Sequence, residues 1–406
     1  MSTLVLKFGG TSVGTVELIK SAAQIVKKEY DKGHNVAVVV SAMSGTTNAL
    51  INFVNDIGAN DDAEYDVVVS SGEQITAGLM SLALQEIGVP ARSWLSWQLP
   101  VITSGPNKNS FIKKIIPDKV IDCFSQKKVS VITGFQGIAS DNRITTIGRG
   151  GTDNTAVFLA SALKADRCDI YTDVDGVYTA DPKITSNVRK LDKISYEEMI
   201  EMASQGTKVL QTASVESAML ENVNVQVRST FNPDQEGTKI SFDLNDDNSR
   251  AVTGVAYSKD EAKVTIIDLV DQPGIAANIF RSLSDKSINV DMIVQNNFIE
   301  RKRTNLTFTV PMIDLQKSLD IINDLKSKIN FSEVISEDNL SKVSIIGSGM
   351  RNQPGIAAKM FECLFAQKIN IEVISTSEIK VSVLIDRLKT EVAVNALHND
   401  FELDKL

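Results

Sequence analysis

Histidine and cysteine are scarce. The 406 residues hold two histidines, His34 and His398, and three cysteines, Cys123, Cys168 and Cys363. Two distant histidines exclude Ser-His-Asp chemistry and histidine-rich metal centres. Three scattered cysteines build neither a zinc spacing nor a disulfide framework, and they suit a reducing cytoplasm. His34, beside Gly33, and His398 read as solvated surface residues, and the cysteines as small buried hydrophobes. Long apolar runs are also missing: Val36–Val40 is typical and far too short to span a bilayer. The start, Met1-Ser2-Thr3-Leu4, lacks the basic and apolar regions of a secretory signal. A net charge of −9 argues against broad binding to nucleic acid or anionic membranes. Catalysis is left to Lys, Arg, Asp, Glu, backbone amides and any bound metal.

What is present describes an ordinary globular chain of two or three domains, 43% hydrophobic and 23% charged. The first 235 or so residues alternate two patterns. Apolar strands read at Leu4–Phe8, Val36–Val40, Val129–Thr133, Ile170–Thr172 and Val223–Val227. Helical periodicity reads at Val16–Tyr30, Gln74–Ile87 and Thr152–Leu163. Such alternation implies an α/β sheet covered by helices. Ligands on these sheets sit beyond the carboxyl ends of the strands, where Lys7, Ser41, Gly134 and Asp173 fall.

Lys7-Phe8-Gly9-Gly10-Thr11-Ser12 joins the first strand to the first helix. Glycines let backbone N–H groups approach an anion, a helix start favours negative charge, and a Lys suits phosphate. It is not a P-loop, because Thr15 and Val16 follow Gly14 where Lys and Ser/Thr belong. Nor is it a dinucleotide fingerprint; the nearest approach to one, at Gly347-Ser348-Gly349, has Asn352 in place of the third Gly. Ser41 to Thr47 ends a strand in small hydroxyl residues that cap a helix or touch a ligand. Ser71-Gly72-Glu73 puts a carboxylate in a first helical turn, where it supports the dipole or receives an ammonium group. Gly148-Arg149-Gly150-Gly151-Thr152-Asp153 sets two glycines and an Arg at a helix start, a concavity for carboxylate or phosphate. Tyr171–Lys183 fails as a calcium loop, since Pro182 falls where a bidentate Glu is required. A strand leading to an aromatic, a carboxylate and a Lys better suits a nucleotide pocket. Lys208 alone is ambiguous.

The polar, turn-rich stretch Asp234–Arg250 reads as a boundary. Beyond it the chain repeats. Residues 272–293 recur at 353–374, the offset of 81 holding throughout with 11 identities in 22 positions. Each copy reads as a ferredoxin-like βαββαβ module. In the first copy the elements are Val264–Ile267, Ile275–Asp285, Ile288–Gln295, Asn305–Val310, Leu315–Ile329 and Ser332–Ser336. The second copy lacks a strand that Ala251–Tyr257 can supply, which would insert the first module within the second. Two modules that merely pair are the simpler arrangement.

With these stretches assembled, the chain closely resembles the aspartate kinase family. The likeness rests on Lys7–Ser12, Ser41-Ala42-Met43, Ser71-Gly72-Glu73, Gly148–Asp153, Thr172–Lys183 and the tandem Pro-Gly modules, which resemble ACT regulatory domains. The resemblance implies an amino-acid-kinase α/β domain at 1–240, a first ACT module at 261–338, and a second built from 250–260 plus 339–406. It implies ATP-dependent phosphorylation of the L-aspartate side-chain carboxylate, opening lysine, threonine and methionine biosynthesis, with lysine and/or threonine as feedback effectors. Carried onto this sequence, it implies catalytic roles for Lys7, Arg149 and Asp173. ATP would meet Lys7, Phe8, Gly9, Gly10, Thr172, Asp173, Tyr178, Asp181, Pro182, Lys183 and Lys208. Aspartate would meet Ser41, Thr47, Glu73, Arg149 and Thr152. Effectors would meet Asp271, Gly274, Ile275, Ala276, Asn289, Asp291 and Gln295 in the first copy. In the second they would meet Asn352, Gly355, Ile356, Asn370, Ile371 and Glu372. Mg²⁺ would ride on ATP and keep its waters, with no metal ligand assigned to a protein side chain. A homo-oligomer joined through the ACT modules and a cytoplasmic location are expected. One departure is Gln211-Thr212-Ala213, where many relatives carry a basic run. A kinase of another amino acid and a non-catalytic amino-acid sensor are the rival readings.

Overall fold

The computed structural model describes residues 1–148, 150–206, 209–242, 250–298 and 303–405. By packing, the chain forms two units: Met1–Tyr178 with Lys190–Asn248, and Thr179–Arg189 with Ser249–Leu406.

The first unit is built on an eight-stranded sheet. Its strands lie in the order Lys193–Ser195, Thr238–Ser241, Val225–Ser229, Arg167–Thr172, Thr3–Phe8, Asn35–Val40, Val129–Thr133, Ala91–Trp94. All neighbours are parallel except Val225–Ser229 against Thr238–Ser241. Parallel strands are buried on both faces, which is why Val36–Val40 is an unbroken apolar run. Among the described residues, eight helices accompany the strands: α1 (Val16–Asp31), α2 (Thr46–Ile57), α3 (Asp62–Val69), α4 (Ser71–Glu86), α5 (Asp118–Ser125), α6 (Gly151–Leu163), α7 (Tyr196–Ser204) and α8 (Thr212–Leu220). The Thr15 hydroxyl caps α1, and the buried positions Ile19, Ala22, Ala23 and Val26 recur at helical spacing. They pack with Ala77, Met80 and Leu84 of α4 against the sheet core around Leu6, Phe8 and Val38. The stretch Asp62–Glu86 is long and apolar enough to cross a membrane by length and composition, but just over half of it is buried inside this unit. A small second sheet, Phe111–Ile115, Val101–Ser104, Gln136–Ile138 and Ile144–Thr146, lies within the same unit.

The second unit carries a six-stranded antiparallel sheet. Its order is Ile293–Phe298, Arg303–Val310, Gly254–Val270, Glu333–Ile346, Lys380–Asp386, Val373–Thr376. The helices are α9 (Ile275–Ser284), α10 (Leu315–Asp324), α11 (Lys326–Ile329), α12 (Ile356–Ala366) and α13 (Thr390–Asp400). Two strands run through both repeats. Gly254–Ser258 pairs with Lys342–Ile346, whereas Lys263–Ile267 pairs with Glu333–Glu337 and with the first copy's Arg303–Val310. The second strand of the first copy begins at Ile293 rather than Ile288, since its ladder with Arg303–Val310 starts there; Ile288 and Met292 are buried in the segment ahead of it.

His398 corrects the surface reading. It is fully buried, and its Nε2 lies 2.9 Å from Thr179 Oγ1. Burial holds its pKa below the usual value for histidine. The sequence near its C-terminal α13 looks polar, yet Val394, Leu397 and His398 share the inward face. Cys123 and Cys168 are buried as expected, Cys363 is half-buried, and all three are free thiols.

Candidate active site

Segments at the carboxyl end of the parallel sheet enclose a cleft of about 320 Å³. Lys7 and Gly10 come from the end of Thr3–Phe8. Ser41 to Gly45 and Thr47 follow Asn35–Val40. Glu73 sits in the first turn of α4, and Gly148 and Gly150 to Asp153 lead into α6. The structure therefore brings Lys7, Gly10, Ser41, Thr47, Glu73 and Thr152 to one cavity, although long stretches of sequence separate them.

Charge in the cleft is arranged in two places. Lys7 is only 8% exposed, and its Nζ lies 2.5 Å from Oδ1 of Asp153 in the first turn of α6. There the positive end of the helix dipole favours a carboxylate or an incoming phosphate. Gly150 caps α6 at φ +76°, a conformation that L side chains resist, and a Cβ there would also run into Gln211. Glu73 lines the same cleft and is 3% exposed. Gly72 lets α4 approach closely, since a Cβ there would come within 2.8 Å of the Ala42 Cβ. The approach lets the Ala42 N–H donate to Glu73 Oε1 at 3.0 Å. The other oxygen, Oε2, is buried without a hydrogen-bond partner among the described residues. Burial pushes the Glu73 carboxyl up to about 7, against the pull of the Ala42 bond. A buried acceptor beside a cleft, short of one donor, is suited to a ligand ammonium group.

The remaining expected nucleotide residues divide. Phe8 and Tyr171 are register partners and Gly9 N donates to Tyr171 O at 3.2 Å, so Thr172, the last residue of its strand, and then Asp173 follow on beside Gly9. Asp173 is exposed and accepts from the Thr172 hydroxyl at 3.1 Å; it does not line the cleft with Lys7. Phe8 is fully buried, its ring stacks on Tyr171 at 4.9 Å, and it does not line the cleft. The Tyr178 hydroxyl donates to Asp175 at 2.7 Å, and burial first, then that carboxylate, pushes its pKa up to about 12. Asp181, Pro182 and Lys183 group with the second unit, although 1–240 was the expected span of the kinase domain. There Ala180 joins the apolar core, and the Asp181 carboxylate accepts from Tyr257 OH at 3.0 Å and Lys183 N at 2.9 Å. Arg149 and Lys208 lie outside the described residues.

A second cleft, of about 470 Å³, opens at the Pro-Gly turn of the first repeat. Asp271, Gly274, Ile275, Ala276 and Gln295 line it, and α9 starts there. Asn289 and Asp291 do not line it. Instead Asp291 pairs with the buried Lys342, whose Nζ also lies 2.9 Å from Glu261. In the second repeat, Glu372 accepts from Lys263 at 3.1 Å and Asn370 at 2.8 Å, and the Lys263 bond holds its pKa below the usual range. Gly355 precedes α12, and Asn352 ends the short turn Ser348–Asn352.

Residues 2–229 match the Amino acid kinase family, and residues 264–325 and 343–401 match the ACT domain. The aspartokinase of Pseudomonas aeruginosa is 47% identical over all of this chain and 98% of its own length. That of Corynebacterium glutamicum is 41% identical over 99% of this chain and 97% of its own. The chain belongs to the aspartokinase family. A solved relative, E. coli aspartokinase III in complex with aspartate and ADP, superposes with a TM-score of 0.79 at 25% identity, covering 98% of this chain and 99% of that one. The same E. coli enzyme in complex with lysine and aspartate gives 0.77 at the same identity and coverage.

Within this site two contacts escaped the sequence. Asp153 reads locally as a helix-dipole residue, and nothing nearby announces its pairing with Lys7. Gln211, the departure from the family pattern, packs against Gly150 and so borders the anion-binding turn. Phe135 lines the cleft at φ +65°, where an aromatic residue is strained.

Proposed function

We infer that this chain transfers the γ-phosphoryl group of ATP to the side-chain carboxylate of L-aspartate, giving 4-phospho-L-aspartate. The observation that carries this reading is the unpartnered Glu73 Oε2, buried beside the same cleft as Lys7 and the α6 N-terminus. Glu73 receives the ammonium group of aspartate. Thr152, Ser41, Thr47 and Arg149 hold its carboxylates. The attacking carboxylate is ionised at neutral pH, so the scarcity of histidine costs nothing; no general base is needed. Phosphoryl transfer asks mainly for positioning and charge neutralisation. Gly9 leaves open the space 3.4 Å from Lys7 Nζ that a side chain would fill, which suits a polyphosphate. Thr172, Asp173, Tyr178, Asp181, Pro182, Lys183 and Lys208 serve the nucleotide. Mg²⁺ would ride on the nucleotide and keep water on its other positions. Bound there, it neutralises phosphate charge. An assay trapping the acyl phosphate as hydroxamate, with ATP and aspartate, tests the reading; no product above background would overturn it.

We further propose that the reaction opens lysine, threonine and methionine biosynthesis in the cytoplasm, in a homo-oligomer joined through its ACT modules. Lysine, threonine or both bind at the Pro-Gly cleft, where Asp271 and Gln295 receive an amino acid's polar groups. Feedback requires a coupling of only about 1–3 kcal/mol. Because Asp291 is committed to Lys342, the informative variant is Asp271→Ala. It should raise the effector concentration for half-inhibition by about tenfold while leaving uninhibited kcat nearly intact. Titrating activity with lysine, threonine and both checks this. An unchanged inhibition curve removes Asp271 from the effector site.

A further inference from the structure

Asp66, on α3, is fully buried and lies outside the cleft. Its carboxylate accepts from Asn107 Nδ2 at 2.8 Å, from the Lys108 backbone N–H at 3.1 Å, and from the Thr146 hydroxyl at 2.5 Å. The ammonium group of Lys108 makes its contact elsewhere, 2.5 Å from Asp62 and over the Tyr65 ring. Burying a carboxylate is expensive, and apolar residues of similar volume often serve stability as well or better. The arrangement makes sense through what it ties together. Lys108, held in the left-handed region at φ +64°, belongs to a turn whose Asn109 side chain abuts Gly148. Thr146 ends the strand that delivers Gly148 and the start of α6. On the other side, α3 runs into α4, and Glu73 follows Asp66 by about two helical turns.

We propose that Asp66 is a positioning residue that fixes the distance between the ammonium acceptor Glu73 and the anion-binding start of α6 at Gly150–Thr152. This rests on the assignment of that cleft to aspartate. Charge-assisted bonds to one carboxylate are strong and directional, so three donors on two other segments hold a single geometry. A substrate gripped at both ends depends on that span, whereas a nucleotide held at Gly9 and Gly10 does not. Losing the span weakens aspartate binding without altering the phosphoryl-transfer groups.

The test is steady-state kinetics of Asp66→Asn, Thr146→Val and, as control, Glu73→Gln, with urea melts of each. Thr146→Val keeps shape, removes only the hydroxyl, and decides the matter if Asp66→Asn does not fold. The inference expects the aspartate KM to rise about tenfold in Asp66→Asn and about threefold in Thr146→Val, with kcat and the ATP KM within about twofold of wild type. A purely structural role would instead lower the melting midpoint and the active fraction while leaving the aspartate KM unchanged, which would overturn it. If Glu73→Gln also leaves that KM unchanged, the assignment of the cleft to aspartate fails rather than the role of Asp66.

Discussion

Replacing Lys7 with Ala should lower kcat by on the order of 100-fold or more, through loss of a cation where charge develops on the transferring group. The same change should also destabilise the ligand-free protein. Lys7 and Asp153 are an ion pair with side chains only 10% and 12% exposed, so removing the ammonium leaves a carboxylate unpaired in a largely dry site. Breaking such a pair costs roughly 3 kcal/mol. The two effects separate in a double variant. Lys7→Ala with Asp153→Asn should recover most of the lost stability and none of the lost turnover. Urea melts and single-turnover kinetics on both proteins check this. A double variant that regains activity would show that Lys7 serves Asp153 and not the phosphoryl group.

Glu73→Gln has the second largest expected effect, and its signature is a pH profile. In the free enzyme the carboxyl titrates at about 7 and must be ionised to receive an ammonium group. Wild-type kcat/KM for aspartate should therefore rise as pH increases towards 7 and level off above it. In Glu73→Gln that limb should vanish and the aspartate KM should rise by about tenfold or more. Stability moves the opposite way with pH. The unfolded-state value is 4.5 and the folded one about 7, so between them the folded state binds the extra proton. The contribution is fully present below about 4.5 and is lost as pH rises through 7, a fall on the order of 3 kcal/mol. Melts at pH 5 and pH 8 should show that fall in the wild type and little of it in Glu73→Gln. A wild-type KM flat from pH 6 to 8 would rule out this titration.

Much of this site could be read from sequence because its parts obey local rules. Lys7 and Ser41 sit where apolar runs stop, and Glu73 and Thr152 where helical periodicity starts. Parallel strands carry all four to one end of the sheet. What escaped depends on distant partners. Asp66 looks like any acid on a short helix, because its donors come from segments 107–108 and 146. His398 looks solvated until Thr179 is seen beside it. Asp181 belongs to a kinase motif by sequence, yet its hydroxyl donor is Tyr257. The repeat was plain because identity at a fixed offset needs no partner. The reach of two strands through both copies was less so, since periodicity marks a strand and not how many neighbours it serves.

Those shared strands have a consequence for biosynthesis. Gly254–Ser258 leaves the ribosome early, but its hydrogen-bonding partner, Lys342–Ile346, is made only after the whole first repeat. In the interval the first repeat can close on its own apolar cluster, around Val264, Ile279 and Phe308. Val255, by contrast, has to wait for Val343, Ile345 and Val383. A nascent chain thus carries an unpaired strand edge beside an already folded neighbour, the kind of surface that invites association with other chains. The pairing that completes the second repeat is also long in sequence, so its closure is the slower step. Such a chain has reason to need chaperones in the second half of synthesis, until residues near 340 emerge, rather than at its beginning.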